Sequence, residues 1–339
     1  MQDNQHPVSL SVIVPCYNVE PYLDRTFSCL ERQWDGRSDY EIILINDAST
    51  DGTIGKLNAF QQRYPDNVVV IDKKVNAGAA EARNSGLDVA RGEWIVFFDP
   101  DDALADNGYA RMLEMAIDKD YDILSFEAEI VKEDEWNENM TVKPVLRRIV
   151  WEGSAKEYIL DNHFGTCFRF IFKRELLIDR RFTPLSFLED VVFVLPIFLS
   201  DAKVGLTQAR VYFYILRGSS ATNMIDPERL NRGCDDILTA IKFMDECKQG
   251  QSEAISNRIG ERQAFYFGNL ITRLMLSNKN LNEIKRHREE IKKLSIPKIY
   301  EGGNKQRFYE FLFEHPGMMI MLRPVYRAIR SVRSLFPQN

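Results

Sequence analysis

The chain has 339 residues, 45% of them hydrophobic and 28% charged, with a net charge of −6. That is the composition of one large or two smaller globular domains, and the acidic balance excludes bulk attraction to nucleic acid. Five cysteines without a CxxC spacing read as reduced, mostly buried thiols of a cytosolic protein, and four scattered histidines exclude a His-based zinc site.

Met1 to Pro7 is polar and lacks the apolar stretch of a signal peptide. Leu10 to Val14 is an apolar run, a first buried strand that Pro15 is expected to stop. Pro21 to Gln33 has helical spacing, with Tyr22, Phe27 and Leu30 as core contacts. Tyr40 to Ile45 is a second strand, followed by Asn46 to Gly52 as a turn and helix cap. Thr53 to Tyr64 is helical, Val68 to Ile71 a third strand, and Gly78 to Ala90 a helix broken at Gly92. The fourth strand begins at Trp94. Strands alternating with helices of this length imply βαβ units and a parallel sheet.

The fourth strand is the stretch that the other segments serve. Trp94-Ile95-Val96-Phe97-Phe98 is apolar and ends in Asp99-Pro100-Asp101-Asp102. A run of this kind is a strand buried on both faces, so the acids fall at its carboxyl end, where open α/β sheets bind ligands. Pro100 fixes one backbone angle between Asp99 and Asp101. Their carboxylates suit one hard divalent cation; the alternative is a polar turn capping the next helix. The other three strands also end in polar clusters, at Tyr17-Asn18, Asn46-Asp47 and Asn76-Ala77-Gly78, and parallel strands bring all four to one rim. GxGxxG and GxxxxGK[ST] phosphate loops are missing.

After Asp102 the alternation weakens. Gly108 to Asp118 reads as helix, Ile123 to Val131 as strand, and Lys132 to Asn139 as a charged loop. Ile149 to Leu160 and Cys167 to Leu177 are ambiguous pieces that complete the sheet and build an acceptor wall. Phe187 to Phe193 sets Glu189 and Asp190 amid apolar residues. Val211 to Leu216 is a strand, followed by the polar loop Arg217-Gly218-Ser219-Ser220. From Asp226 the pattern is helical: Pro227 to Lys248, Glu253 to Leu276, Leu281 to Leu294 and Lys305 to Glu314. In the last stretch Val325, Ile329, Val332 and Phe336 share one helical face and Arg323, Arg327, Arg330 and Arg333 the other. An all-Arg polar face suits an anionic membrane surface; the alternative is a helix packed on its own domain. No window reaches the roughly 18 apolar residues of a membrane span.

Four segments together resemble a known family. Val12-Ile13-Val14-Pro15-x-Tyr17-Asn18, Asn46-Asp47-x-Ser49-x-Asp51-Gly52-Thr53, Asn76-x-Gly78-x-x-x-Ala82-Arg83-Asn84-x-Gly86 and Phe98-Asp99-x-Asp101-Asp102 resemble the family 2 inverting glycosyltransferases of the GT-A fold. The resemblance covers roughly residues 8 to 220, as motif plus context. It implies a Rossmann-like, mixed but mostly parallel sheet with helices on both faces, followed by a helical C-terminal region. The expected division is a catalytic domain over 1–222, a helical region over 223–315 and a basic amphipathic helix over 316–339.

The same resemblance implies a nucleotide-sugar donor held by Pro15, Tyr17, Asn18, Glu20, Asp47, Asn76, Gly78, Arg83, Asp99, Asp101 and Arg217. Tyr17 would stack on the base and Asp47 accept from its ring N–H, which suits uracil, thymine or guanine and disfavours cytosine. UDP is the favoured nucleotide. Asp51 reads as a helix cap rather than a ligand. Arg83 is expected either to pair with Asp99 or to reach the donor. Asp101, with Asp99, would bind Mg²⁺ or Mn²⁺; Asp102 is left without a role. Phe187-Leu188-Glu189-Asp190-x-x-Phe193 resembles the family's ED motif, which assigns the general base to Asp190, with Glu189 in reserve. Arg217 and Ser219 would close over the diphosphate. The family's Trp or Asn followed by Lys before a strand such as Ile171 to Arg174 is replaced here by Phe168-Arg169-Phe170, so the acceptor side is expected to differ.

The activity implied is metal-dependent transfer of a sugar to a hydroxyl of a glycan or lipid-linked glycan in surface polysaccharide synthesis, at the cytoplasmic face of the membrane. Two rival readings remain. A sugar nucleotidyltransferase would need a Gly-rich basic loop after the first strand, and Pro15 to Glu20 offers neither glycine nor base. A non-catalytic nucleotide-sugar-binding subunit of a glycan assembly complex would have no need of the acidic set.

Overall fold

The computed structural model describes residues 8–34, 36–141, 148–162, 164–217, 226–296 and 303–335, and no side chains of 303–306 or 330–335. It divides into two compact units, Met1–Pro184 with Glu189–Ala221, and Leu185–Leu188 with Thr222–Asn339.

The first unit opens with three strand–helix pairs and a fourth strand: β1 (Leu10–Cys16), α1 (Leu23–Glu31), β2 (Tyr40–Asp47), α2 (Thr53–Arg63), β3 (Val68–Lys73), α3 (Ala79–Val89) and β4 (Trp94–Phe97). It continues through β5 (Ala103–Leu104), α4 (Gly108–Asp118), β6 (Ile123–Lys132), β7 (Ile149–Ser154), α5 (Ala155–Asp161), β8 (Phe170–Lys173), α6 (Glu189–Phe198) and β9 (Lys203–Leu216). The strands form one mixed sheet in the order β3-β2-β1-β4-β8-β6-β9-β5, with β7 on β9. β3, β2, β1 and β4 run parallel, and β8 enters antiparallel between β4 and β6. The parallel half therefore gathers the four polar clusters at one rim.

Burial on both faces explains the apolar runs. Leu10, Val12, Ile13 and Val14 of β1 and Ile95, Val96 and Phe97 of β4 have no exposed surface. Helices cover each side of such a sheet, so neither face alternates with polar residues.

Two expectations need correction, and one open stretch is resolved. Pro15 does not stop β1, which continues to Cys16 with Pro15 opposite Ile45. The ladder to β4 ends at Ile13 and Phe97, so position 15 has a strand on one side only and loses no bond there. β9 begins at Lys203, eight residues before the expected Val211, and Gly205 lies within it. A Cβ on Gly205 would meet the Tyr121 ring at 2.5 Å, so the glycine that hid the strand serves packing. The ambiguous stretch after Ile149 is a strand and then a helix, divided at Ser154. Its hydroxyl accepts from Glu157 N–H and the Glu157 carboxylate accepts from Ser154 N–H, a capping box.

The second unit consists of α7 (Pro227–Cys247), α8 (Glu253–Leu276), α9 (Leu281–Lys292), α10 (Gly303–Glu314) and α11 (Pro316–Leu335). Three of the starts are capped by side chains that accept backbone N–H groups: Asp226, Ser252 and Asn280. Its core includes Ile237, Ile241, Ile259, Leu270 and Leu274.

Two of the four arginines, Arg323 and Arg327, spend their guanidinium groups on the protein itself rather than on an outward basic face. Arg323 is buried and donates from Nε and Nη2 to Leu274 O, at 3.1 and 2.7 Å, and from Nη1 to Lys279 O at 2.6 Å. Arg327 donates to Leu276 O at 2.9 Å and Ser277 O at 2.6 Å. The last carbonyls of α8 have no partner within their own helix, and these guanidinium groups supply it. Arg330, Arg333, Val332 and Phe336 lie outside the described side chains. Among the described residues no helix is long and apolar enough to cross a membrane.

Gly92 marks a close backbone approach in the first unit. A Cβ there would lie 2.5 Å from the Ser11 backbone nitrogen, which belongs to central β1 and cannot move aside. Gly92→Ala is expected to lower the unfolding free energy by about 1–3 kcal/mol. Urea denaturation measures it, and unchanged stability would refute the close-approach account.

Candidate active site

The rim is assembled loop by loop. After β1, Asn18 takes a left-handed backbone conformation, φ 50°. Its side-chain carbonyl accepts from Thr50 N–H at 2.8 Å, and its own N–H donates to Ser49 Oγ at 3.0 Å. Glu20 accepts from Gly52 N–H at 2.7 Å, while Asp51 accepts from Glu20 N–H and Thr53 N–H. Asn18, Glu20 and Asp51 are thereby occupied in zipping the β1 loop to the β2 loop, and Asp51 satisfies a donor at the start of α2, as expected. Pro15 is half-buried at the end of β1, and Tyr17 stands out 48% exposed.

Asp47, at the end of β2, is 3% exposed at its side chain. It accepts from Ala77 N–H and Gly78 N–H, the latter at 2.7 Å, and pairs with Lys73 at 3.2 Å. Asn76 also accepts from Gly78 N–H, at 3.1 Å. Gly78 has φ 88°, a conformation that favours glycine, and α3 starts from it. Asp47 therefore fixes the start of the helix that carries Arg83.

Arg83 is the hub. Its side chain is 5% exposed, and its Nη2 donates to Asp99 at 2.9 Å. Its Nη1 donates to Glu189 at 3.1 Å and to Asp190 at 3.3 Å, across 106 and 107 residues of chain. The expected pairing with Asp99 is present, and both ED-motif acids join it. The second Asp190 oxygen accepts from Cys167 N–H at 3.1 Å. Burial raises the proton affinity of Asp190, and the charge of Asp99 adds to it, against the pull of Arg83. Burial and the Asp190 charge push Glu189 to about 7. The two acids titrate as a pair.

Asp101 faces another cation. Its carboxylate pairs with Arg217, and its backbone carbonyl accepts from Arg25 at 2.5 Å. The Arg217 guanidinium also lies 4.4 Å from the centre of the Tyr22 ring. Asp102, for which the sequence offers no role, is buried. It accepts from Tyr212 Oη at 2.6 Å and Ile215 N–H at 2.9 Å, while Tyr212 Oη accepts from Asp99 N–H at 3.3 Å. The acidic loop is thus fastened to β9, from whose end Arg217 projects. Burial and the charge of Asp99 push Asp102 to about 7. Arg25, Tyr212, Asp102 and Cys167 escape sequence reasoning because their roles rest on pairings across 23 to 113 residues. Ser219 lies outside the described residues.

The donor set fits a hard divalent ion. Asp99 and Asp101 offer only oxygen, and Asp101 already holds a cationic side chain. Among the described residues no cluster of three or more ligating side chains is arranged for a metal. Mg²⁺ and its like are commonly held by one or two carboxylates together with substrate phosphates, and Asp101 with Asp99 would supply that share.

This fold is shared with structures solved in complex with nucleotide sugars. Residues 1–349 of S. aureus TarS, solved with UDP-GlcNAc, superpose with a TM-score of 0.61 at 18% identity, over 96% of this chain and 88% of that one. Mannosyltransferase PcManGT from Pyrobaculum calidifontis, solved with GDP-Man and Mn²⁺, gives 0.55 at 15% identity, over 99% and 91%. The model for glycosyl transferase family 2 matches residues 11–181, half of the chain, and the chain belongs to that family. The poly(ribitol-phosphate) beta-glucosyltransferase of Bacillus spizizenii is 28% identical over 247 residues, 70% of this chain. The present chain spans 37% of that relative's length.

A base must be deprotonated to act, and burial raises the proton affinity of Asp190, so activity is expected to fall on the acid side and to level off as pH rises past that raised value. Glu189→Gln removes one charge of the coupled pair, and the acid limb should move to lower pH. A profile of kcat/KM against pH in both forms checks the shift; an unmoved limb would show that the two acids do not interact.

Proposed function

We propose that this chain is an inverting glycosyltransferase that uses a UDP-sugar and a divalent cation. Its acceptor is a hydroxyl of a glycan or lipid-linked glycan of a cell-surface polymer, at the inner face of the membrane. The observation that carries the reading is the convergence of Asp99, Glu189 and Asp190 on Arg83 beside the Asp99–Asp102 loop. Membership of glycosyl transferase family 2 supports the reaction class. The relative whose name specifies poly(ribitol-phosphate) supports a phosphate-rich surface polymer as the acceptor class.

The reaction needs one protein base. The acceptor oxygen forms its bond to the anomeric carbon from the face opposite the diphosphate. The bond from that carbon to the diphosphate oxygen breaks, and its electron pair leaves with UDP. The acceptor proton passes to Asp190, whose raised proton affinity suits it to a base working near neutral pH. Arg83 and Cys167 N–H fix the orientation of that carboxylate. A divalent cation, when bound, neutralises the charge that develops on the diphosphate, so no protein acid is required. Asp47 and Tyr17 are assigned to the base, and Pro15, Asn18, Glu20, Asn76 and Gly78 shape the loops around it. Arg217 is assigned to the diphosphate, to which it would transfer its charge from Asp101.

Transfer from a panel of UDP-, GDP- and dTDP-sugars to an isolated polymer acceptor, with NMR of the product anomer, tests the reaction. Inversion with a UDP-sugar is expected; retention, or turnover only with another nucleotide, overturns it. Asp190→Asn should lower kcat by about 10²-fold or more while leaving UDP affinity within about threefold. Loss of both would count against Asp190 as the base. Removal of divalent cations by EDTA should abolish transfer and Mn²⁺ restore it, whereas full activity in EDTA would contradict the role given to Asp101.

A further inference from the structure

Among the described residues of α11, one exposed arc carries no charge. Met318, Met321, Val325 and Ile329 are 38, 72, 56 and 52% exposed and recur at helical spacing. The remaining exposed positions on that arc are Gly317, Pro324 and Ala328. At 100° per residue these seven positions span roughly 140° of the helix. The opposite side, with Met319 and Arg323, is buried within the helical unit. Arg323 and Arg327 are committed to carbonyls of α8 and the turn after it, so this orientation is fixed by hydrogen bonds. The helix is mounted with its apolar side to the surroundings. The preceding α10 adds exposed rings at Phe308 and Phe311.

Charge identifies the occupant. Residues 222–339 carry 20 Lys and Arg against 14 Asp and Glu, a net +6 in a chain whose total is −6. From His315 to the end there are four arginines and no acid. A chain acidic as a whole thus concentrates its positive charge in the unit that bears the exposed apolar helix. An exposed apolar helix face on a unit of net positive charge matches a bilayer whose surface is anionic. An apolar patch serves a protein or a membrane alike, and the positive charge of the unit that bears it is what favours an anionic bilayer.

We propose that the chain docks on anionic membrane by inserting the Met318, Met321, Val325 and Ile329 face of α11 into the headgroup–acyl boundary, the helix lying in the membrane plane. The proposal accords with a lipid-linked acceptor and rests on the proposed function only for that link. The four side chains belong to no part of the catalytic rim.

Flotation of the full chain with phosphatidylcholine vesicles, with and without about 30% phosphatidylglycerol, tests it. The wild type should float with the anionic vesicles and far less with the neutral ones. The variant M321E/V325E/I329E should float at about a tenth of the wild-type level or less, with an unchanged melting temperature, because these side chains are exposed in the folded chain. A wild type that stays at the bottom of the gradient overturns the proposal, as does a variant that floats equally well. A wild-type dimer that the same substitutions dissociate, with no vesicle binding by either, would make this face a protein interface and also overturns it. Flotation without sugar transfer would sink the proposed function and leave this face standing; transfer to a soluble acceptor without flotation would do the reverse.

Discussion

One guanidinium holds three carboxylates at the rim of the sheet. Arg83 meets Asp99 at the end of β4 and Glu189 and Asp190 at the start of α6, so one cation faces three acids. Burial acts against the charge on Arg83, and the surrounding acids more than offset it, holding the group protonated. The reverse does not hold for the acids, since one positive charge cannot neutralise three. Burial first, and then the unneutralised acid charge, raise Glu189 to about 7 and raise Asp190 with it. An acid that shares an over-subscribed cation in a half-buried place is prepared to accept a proton.

The same surplus continues along the acidic loop. Asp101 draws Arg217 from the end of β9, and Arg25 binds the Asp101 carbonyl. Asp102 is turned inward to Tyr212 and Ile215, which fixes how Asp99 and Asp101 are presented. Three acids of one loop thus have three separate tasks: Asp99 joins the Arg83 cluster, Asp101 takes the Arg217 guanidinium, and Asp102 anchors the loop to the strand from which that cation comes. The last two rest on the shape of the sheet, because the ladder of β9 with β5, the short strand that follows Asp102, holds β9 beside the loop.

The helical unit follows a different constraint. The end of α8 exposes carbonyls that its own helix cannot satisfy, and Arg323 and Arg327 supply the donors. Using arginines as caps fixes the rotation of α11 and leaves its methionines, valine and isoleucine outward. A pattern that reads as a basic face becomes, at Arg323 and Arg327, a staple to α8, with apolar side chains left outward.

Much of this was legible in the sequence. Apolar runs ending in polar clusters gave the four parallel strands, because burial on both faces leaves no alternation and the ligand side must lie at the carboxyl ends. The residue types at those ends, carboxylates and amides without a glycine-rich loop, pointed to the family and to most of the rim. Strand β9 was half hidden by Gly205, whose purpose is a contact with Tyr121. The junction of Arg83 with Glu189 and Asp190, the burial of Asp102 and the direction of the α11 arginines were decided by tertiary structure alone. Periodicity tells which residues share a face and is silent about what that face meets; only the folded chain brings together partners that stand a hundred residues apart.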